Sequence, residues 1–183
     1  MKRARGDRLT GGTGDVNPQQ LSFSVDMAAA DTTIQKDIFL PIIPLSAVGK
    51  GEAQVLELLK MFVWMDDFPT AAAGGHRFDL LIGTKNFNST IPVDEEADAL
   101  VLCGCSGDFT HITSGQTSTQ YPIVQDLTDG QGHGILVGVQ TIYALLYSGS
   151  TGVALKARVK LLYRVKRIGT TELLGIIASQ FQA

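Results

Sequence analysis

Leu155 to Arg167 reads L-K-A-R-V-K-L-L-Y-R-V-K-R. Even positions carry Lys156, Arg158, Lys160, Leu162, Arg164 and Lys166; odd positions carry Leu155, Ala157, Val159, Leu161, Tyr163 and Val165. Successive side chains of a strand alternate between faces, so a period of two predicts a strand here. One face is apolar and the other cationic, and the stretch itself holds no acid. Like charges on one strand face repel. The pattern therefore asks for something anionic opposite: nucleic acid, or an acidic surface of another subunit. The competing reading is a solvated outer face, or an edge strand protected by charge.

The rest of the chain puts that strand in an all-β protein. Its 183 residues are enough for one domain with a substantial core. The 20 glycines, with frequent Thr and Ser, suit many turns and argue against a helical bundle. Net charge is only −3, but it is unevenly spread. Lys2, Arg3, Arg5 and Arg8 make a basic start, and the residues between Leu9 and Leu155 hold five basic and sixteen acidic groups. An acidic body with a basic tail and a basic strand points to nucleic acid or polar self-association.

Residues 1–20 are polar, Gly-rich and basic, and read as a flexible arm. Residues 21–183 read as one β domain. Candidate strands are Leu21 to Met27, Thr32 to Leu45 with an end near Pro41 and Pro44, Gln54 to Met65, His76 to Thr84, Ala99 to Cys105 and Tyr121 to Leu127. They continue with one long strand from Ile135 to Tyr147, the cationic strand, and a closing segment from Leu173 to Gln180. Gln54 to Met65 is ambiguous, because Val55, Leu58, Leu59 and Phe62 also fit a helical period. Its aromatic and β-branched second half decides for a strand. Eight to ten strands without an internal repeat predict an antiparallel sandwich or barrel of the jelly-roll type.

Catalytic and metal motifs are weak. Asp129-Gly130-Gln131-Gly132-His133-Gly134 precedes a β-rich run rather than a helix, so it reads as a turn, not a phosphate loop. Cys103-Gly104-Cys105-Ser106-Gly107 is not a nucleophile elbow. Cys103 and Cys105 share a strand face and read as two small core residues; with scattered His76, His111 and His133 they lack zinc spacing. Asp94, Glu95, Glu96 and Asp98 read as a solvated loop, with an inter-subunit cation site as the specific alternative. Arg5-Gly6-Asp7 is a chance tripeptide in a basic arm. No apolar run predicts a transmembrane helix or a secretory signal. No enzyme activity and no cofactor are expected. Tyr163 lies opposite the cations and is expected in the core.

The stretch Val159 to Gln180, V-K-L-L-Y-R-V-K-R-I-G-T-T-E-L-L-G-I-I-A-S-Q, resembles the end of capsid proteins of small circular Rep-encoding single-stranded DNA viruses, the circovirus-like group. Tyr163, Arg164, Lys166, Gly169, Thr171, Glu172, Gly175, Ser179 and Gln180 carry the resemblance. Leu9 to Gln19, L-T-G-G-T-G-D-V-N-P-Q, looks like the start of such proteins; together the two stretches cover about 33 residues. The resemblance implies a single jelly roll of two four-stranded sheets with an inward basic arm. It also implies self-assembly into an icosahedral shell, commonly of sixty copies, around single-stranded DNA. The arm departs from the family, whose arms are long and Arg-rich. That departure leaves the coat of a small RNA virus as an alternative.

The nucleic-acid-binding set read from the sequence is Lys2, Arg3, Arg5, Arg8, Lys156, Arg158, Lys160, Arg164 and Lys166. The expected place is the virion, with the host nucleus or cytoplasm during assembly. A soluble β-sandwich that binds a ligand or glycan is the rival class.

Overall fold

A computed structural model describes residues 17–41, 51–66, 74–89, 100–111 and 122–181. Nine strands are β1 (Gln19–Asp26), β2 (Thr33–Phe39), β3 (Glu52–Asp66), β4 (Gly74–Gly83), β5 (Val101–His111), β6 (Ile123–Asp126), β7 (Ile135–Val137), β8 (Thr141–Gly149) and β9 (Lys156–Gly169). One helix, α1 (Thr170–Phe181), follows them. All described strand pairs are antiparallel. One sheet runs β1-β9-β3-β6, with β7 also on β3; the other runs β2-β8-β4-β5. Consecutive strands β1 and β2 thus lie in different sheets, as do β3 and β4, β5 and β6, and β7 and β8. That alternation is the two-sheet jelly roll expected from the sequence.

The cationic strand β9 lies between β1 and β3, so it is not an edge. Its odd residues Ala157, Val159, Leu161 and Tyr163 are buried in the main core. They meet Ile38, Phe78, Leu80, Ile142 and Leu146 of the opposite sheet there. Tyr163 also donates its hydroxyl to Gln19 Oε1 at 3.0 Å. Gln19 and Gln20 belong to β1. The sandwich therefore starts two residues inside the segment read as an arm.

The ambiguous segment is β3, and a β-bulge explains its helical look. The pairing with β9 slips at Leu59: Leu58 opposes Tyr163, and Lys60 opposes Leu162. Before the bulge Leu56 and Leu58 face the core; after it Met61, Val63 and Met65 do. One extra residue reverses the parity of the strand, and an apolar pattern that changes parity midway imitates a period of 3.6.

Two readings are corrected. Ile135 to Tyr147 is not one strand. The chain leaves β3 after β7 and enters the other sheet as β8. The crossing falls at Gly138, where a Cβ would lie 3.0 Å from Leu173 Cδ1. The Leu173 to Gln180 segment, counted among the strands, is helical. Leu173, Ile176 and Ile177 fall on one helical face and cover Ala53 and Val55, which point out of the sandwich on β3. A helix seals that small apolar patch with one stripe. The buried Gln180 fastens the far end: its Nε2 donates to Leu136 O at 2.6 Å, and its Oε1 accepts from Gly138 N at 3.1 Å.

Gly134 precedes β7 and packs its backbone against that of β3 at Leu58. A Cβ there would lie 1.9 Å from Leu58 O. Gly134→Ala is expected to lower unfolding free energy by about 1–3 kcal/mol, read from urea denaturation; an unchanged midpoint would contradict this packing.

Candidate nucleic-acid interface

The outer face of the five-stranded sheet carries the even side chains of β9, flanked by even residues of β1 and, past the bulge, of β3. The strands around β9 correct one sequence reading: acids do stand opposite its cations, on neighbouring strands. Lys156 pairs with Asp26 of β1 at 2.7 Å, and Arg158 with Asp66 of β3 at 2.5 Å. Arg167 reaches Glu52 at 3.7 Å. Arg164 and Lys166 converge on Glu57, Lys166 Nζ lying 2.6 Å from Oε1 and Arg164 Nε bonding Oε2. A strand's own sequence cannot show partners that arrive across a sheet ladder.

Glu57 is fully buried. Gly134 N also donates to its Oε1 at 3.0 Å, and Arg164 Nη2 donates to Gly132 O at 2.8 Å. This cluster pins the loop between β6 and β7 onto the sheet. Burial alone pushes the Glu57 carboxyl up, but the hydrogen bonds from Arg164, Lys166 and Gly134 outweigh it and hold the acid at about 2. Two cations on one carboxylate leave one net positive charge.

The same loop carries the Gly-rich run. Asp129 Oδ1 accepts from Gln131 N at 2.8 Å and His133 N at 3.1 Å, and its Oδ2 meets His133 Nδ1 at 3.0 Å. Gly130 and Gly132 have φ of 79° and 85°. It is the turn between strands expected from sequence.

The middle of β9 differs from its ends. Among the described residues, Lys160 is the β9 cation without a carboxylate partner. Its Nζ sits 5.6 Å from the centroid of the Trp64 ring. Trp64 stacks on Phe62, with centroids 6.1 Å apart and planes at 17°. Both aromatics are half-buried and lie on the outer face, because the bulge at Leu59 turned their side of β3 outward. Ser22 and Ser24 of β1 lie on the other side of β9, opposite Lys160 and Arg158. Small serines on one flank and tall aromatics on the other leave a groove of about 550 Å³, lined by Ser22, Phe23, Ser24, Trp64, Arg158, Val159 and Lys160. Sequence reasoning placed the cations but missed this aromatic pair. The available signal was the doubled Leu58-Leu59, the mark of a parity change.

Lys2, Arg3, Arg5 and Arg8, and the acidic Asp94, Glu95, Glu96 and Asp98, lie outside the described residues. Cys103 is buried and Cys105 partly so; both pack on the main core as free thiols, and burial pushes each up to about 12. Among the described residues no group of three or more His, Cys, Asp and Glu is placed to hold a metal ion. No described helix is long and apolar enough to cross a membrane.

No family model matches this chain, and no curated protein matches it. Solved structures do. VP1 of Merkel cell polyomavirus in complex with disialyllactose aligns with a TM-score of 0.54 at 9% identity, over 87% of this chain and 98% of that one. The chain shares the jelly-roll fold of polyomavirus VP1. An unassembled pentamer of the same VP1 aligns at 0.52 with 10% identity over the same shares, 87% and 98%. VP1 of trichodysplasia spinulosa-associated polyomavirus with GM1 oligosaccharide aligns at 0.51 with 9% identity, again over 87% and 98%.

The folded-state acid of Glu57 lies below its ordinary 4.5. Its contribution is therefore complete above that ordinary value and lost as pH falls toward 2. Glu57→Gln is expected to cost about 3 kcal/mol at pH 7 and to flatten this part of the acid limb. Urea unfolding of both proteins at pH 2 to 7 checks it: a gap between them that does not shrink on acidification would refute the ionised cluster.

Proposed function

We propose that this chain is a viral coat subunit that self-assembles into an icosahedral shell and packages nucleic acid. The observation that carries this reading is a row of outward cations on a central strand of a jelly roll. Solved structures that share this fold over most of the chain include polyomavirus VP1, one of them an unassembled pentamer. The resemblance of Val159 to Gln180 to coats of circular single-stranded DNA viruses narrows the genome to single-stranded DNA. Sixty copies is the number that goes with that group.

The proposed contacts keep the full sequence set and divide it by role. Lys2, Arg3, Arg5 and Arg8 of the arm, with Lys156, Arg158 and Lys160 of β9, face phosphate. Arg164 and Lys166 chiefly hold Glu57 and add the cluster's one net charge to the field. Phosphate contacts of this kind are salt-sensitive and largely blind to sequence. The pairings with Asp26 and Asp66 do not prevent them, because these pairs are exposed and exchange readily with phosphate.

A glycan-binding role is the second reading. Two of the VP1 structures named above are complexes, one with disialyllactose and one with GM1 oligosaccharide, and the Trp64 groove offers an aromatic face beside cations.

Light scattering with absorbance at 260 and 280 nm separates these. The full chain is expected as a megadalton, nuclease-protected particle. Replacing Lys156, Arg158 and Lys160 together by Gln is expected to lower packaged nucleic acid several-fold and leave the fold intact by circular dichroism. A clean monomer across salt and pH would refute the shell; unchanged packaging in the triple variant would refute the role of β9.

A further inference from the structure

On the outer face of the five-stranded sheet, acids pair with the cations at both ends of the β9 row; in the middle Asp126 of β6 is taken up by Lys60 of β3 at 3.7 Å, and no acid pairs with Lys160 among the described residues. Asp26 and Asp66 stand at the Lys156 end, and Glu57 stands beside Arg164 and Lys166. Between them the cross-strand neighbours of Lys160 are Ser22 and Phe62, and those of Arg158 are Ser24 and Trp64. The local charge is positive, hydroxyls line one side, and a stacked aromatic pair lines the other. Phe62 and Trp64 are half-buried on this face, and Val124 of β6, opposite Phe62, extends the apolar strip at 50% exposure.

We propose that Trp64, Phe62 and Lys160 form a stacking platform for unpaired bases of a single-stranded nucleic acid, with phosphates drawn to Lys160 and Arg158. This rests on the packaging reading above and adds to it a preference for exposed bases. A cation beside an aromatic face matches a nucleotide, which offers a flat π-face and an anion about one sugar apart; base-on-aromatic stacking is tolerant of sequence. A duplex hides its base faces and engages only the cations. The groove of about 550 Å³ is roomy enough for a mononucleotide unit. The platform also gives single-stranded cargo an advantage that phosphate contacts alone cannot provide.

Trp64 is the sole tryptophan of the chain, so its own fluorescence reports the site. The experiment titrates the full chain, freed of nucleic acid at high salt, with an oligothymidylate, an abasic strand of equal length, a duplex and 3′-sialyllactose. Emission is read together with anisotropy of labelled strands. The expected result is quenching by oligothymidylate alone, with the abasic strand and the duplex binding without quenching. Trp64→Leu should then weaken oligothymidylate on the order of ten-fold and leave the abasic strand unchanged. Lys160→Gln should weaken both. If oligothymidylate and abasic strand bind equally with emission unchanged, the platform is refuted and packaging through charge stands. If neither strand binds, packaging fails and the platform with it. If sialyllactose quenches and oligothymidylate does not, the groove belongs to a glycan and the proposal is overturned. The quenching test uses the unaltered protein, so a misfolded Trp64 variant cannot obscure it.

Discussion

A carboxylate taken out of water stays ionised only if donors replace its hydration. Glu57 meets that condition through Arg164, Lys166 and the Gly134 amide. The arrangement joins three pieces of chain: the middle of β3, the end of β9, and the loop where β6 gives way to β7. The fourth position of this sheet is filled by two short strands rather than one, each pairing with its own part of β3. A loop interrupting a strand position would otherwise leave backbone groups and a gap at the sheet edge. The ion cluster closes the gap and fixes where β7 begins.

The bulge at Leu59 is the second constraint. It lets one strand serve two outer surfaces. Before it, the outward residues Ala53 and Val55 are apolar and lie under α1. After it, the outward residues include Lys60, Phe62, Trp64 and Asp66. Without the extra residue, Phe62 and Trp64 would enter the core, and Met61 and Val63 would face solvent. The aromatic pair beside Lys160 is thus a consequence of one unpaired residue, not of a special aromatic motif.

At the other end, α1 and Gln180 organise the crossing from β7 to β8. The chain changes sheets at Gly138, where a Cβ would lie 3.0 Å from Leu173 Cδ1 and 3.3 Å from Ile177 Cγ1, so a side chain there would press on the helix. Gln180 then satisfies the amide of Gly138 and the carbonyl of Leu136, polar groups left over where the ladder breaks. Thr84, beyond β4, donates to Gln180 O at 3.1 Å. The helix end is therefore tied to both sheets.

How much of this was legible depended on range. The alternation in β9, its inward Tyr163, the turn character of Asp129 to Gly134 and the two core cysteines were all readable, because each is a local pattern of period or turn chemistry. The helical α1 was not: Ile-rich T-T-E-L-L-G-I-I suits strand or helix, and the exposed apolar patch on β3 decides. The split of Ile135 to Tyr147 was hidden for the same reason, since a buried apolar run carries no mark of which sheet it joins. By itself the sequence determined the fold class and the cationic face of β9. Only the tertiary structure decided that Asp26, Asp66 and Glu57 stand against that face, leaving Lys160 with Trp64. Charge along a strand is set by neighbours in sequence, but its compensation comes across the ladder, from residues about 100 or more positions away in the chain.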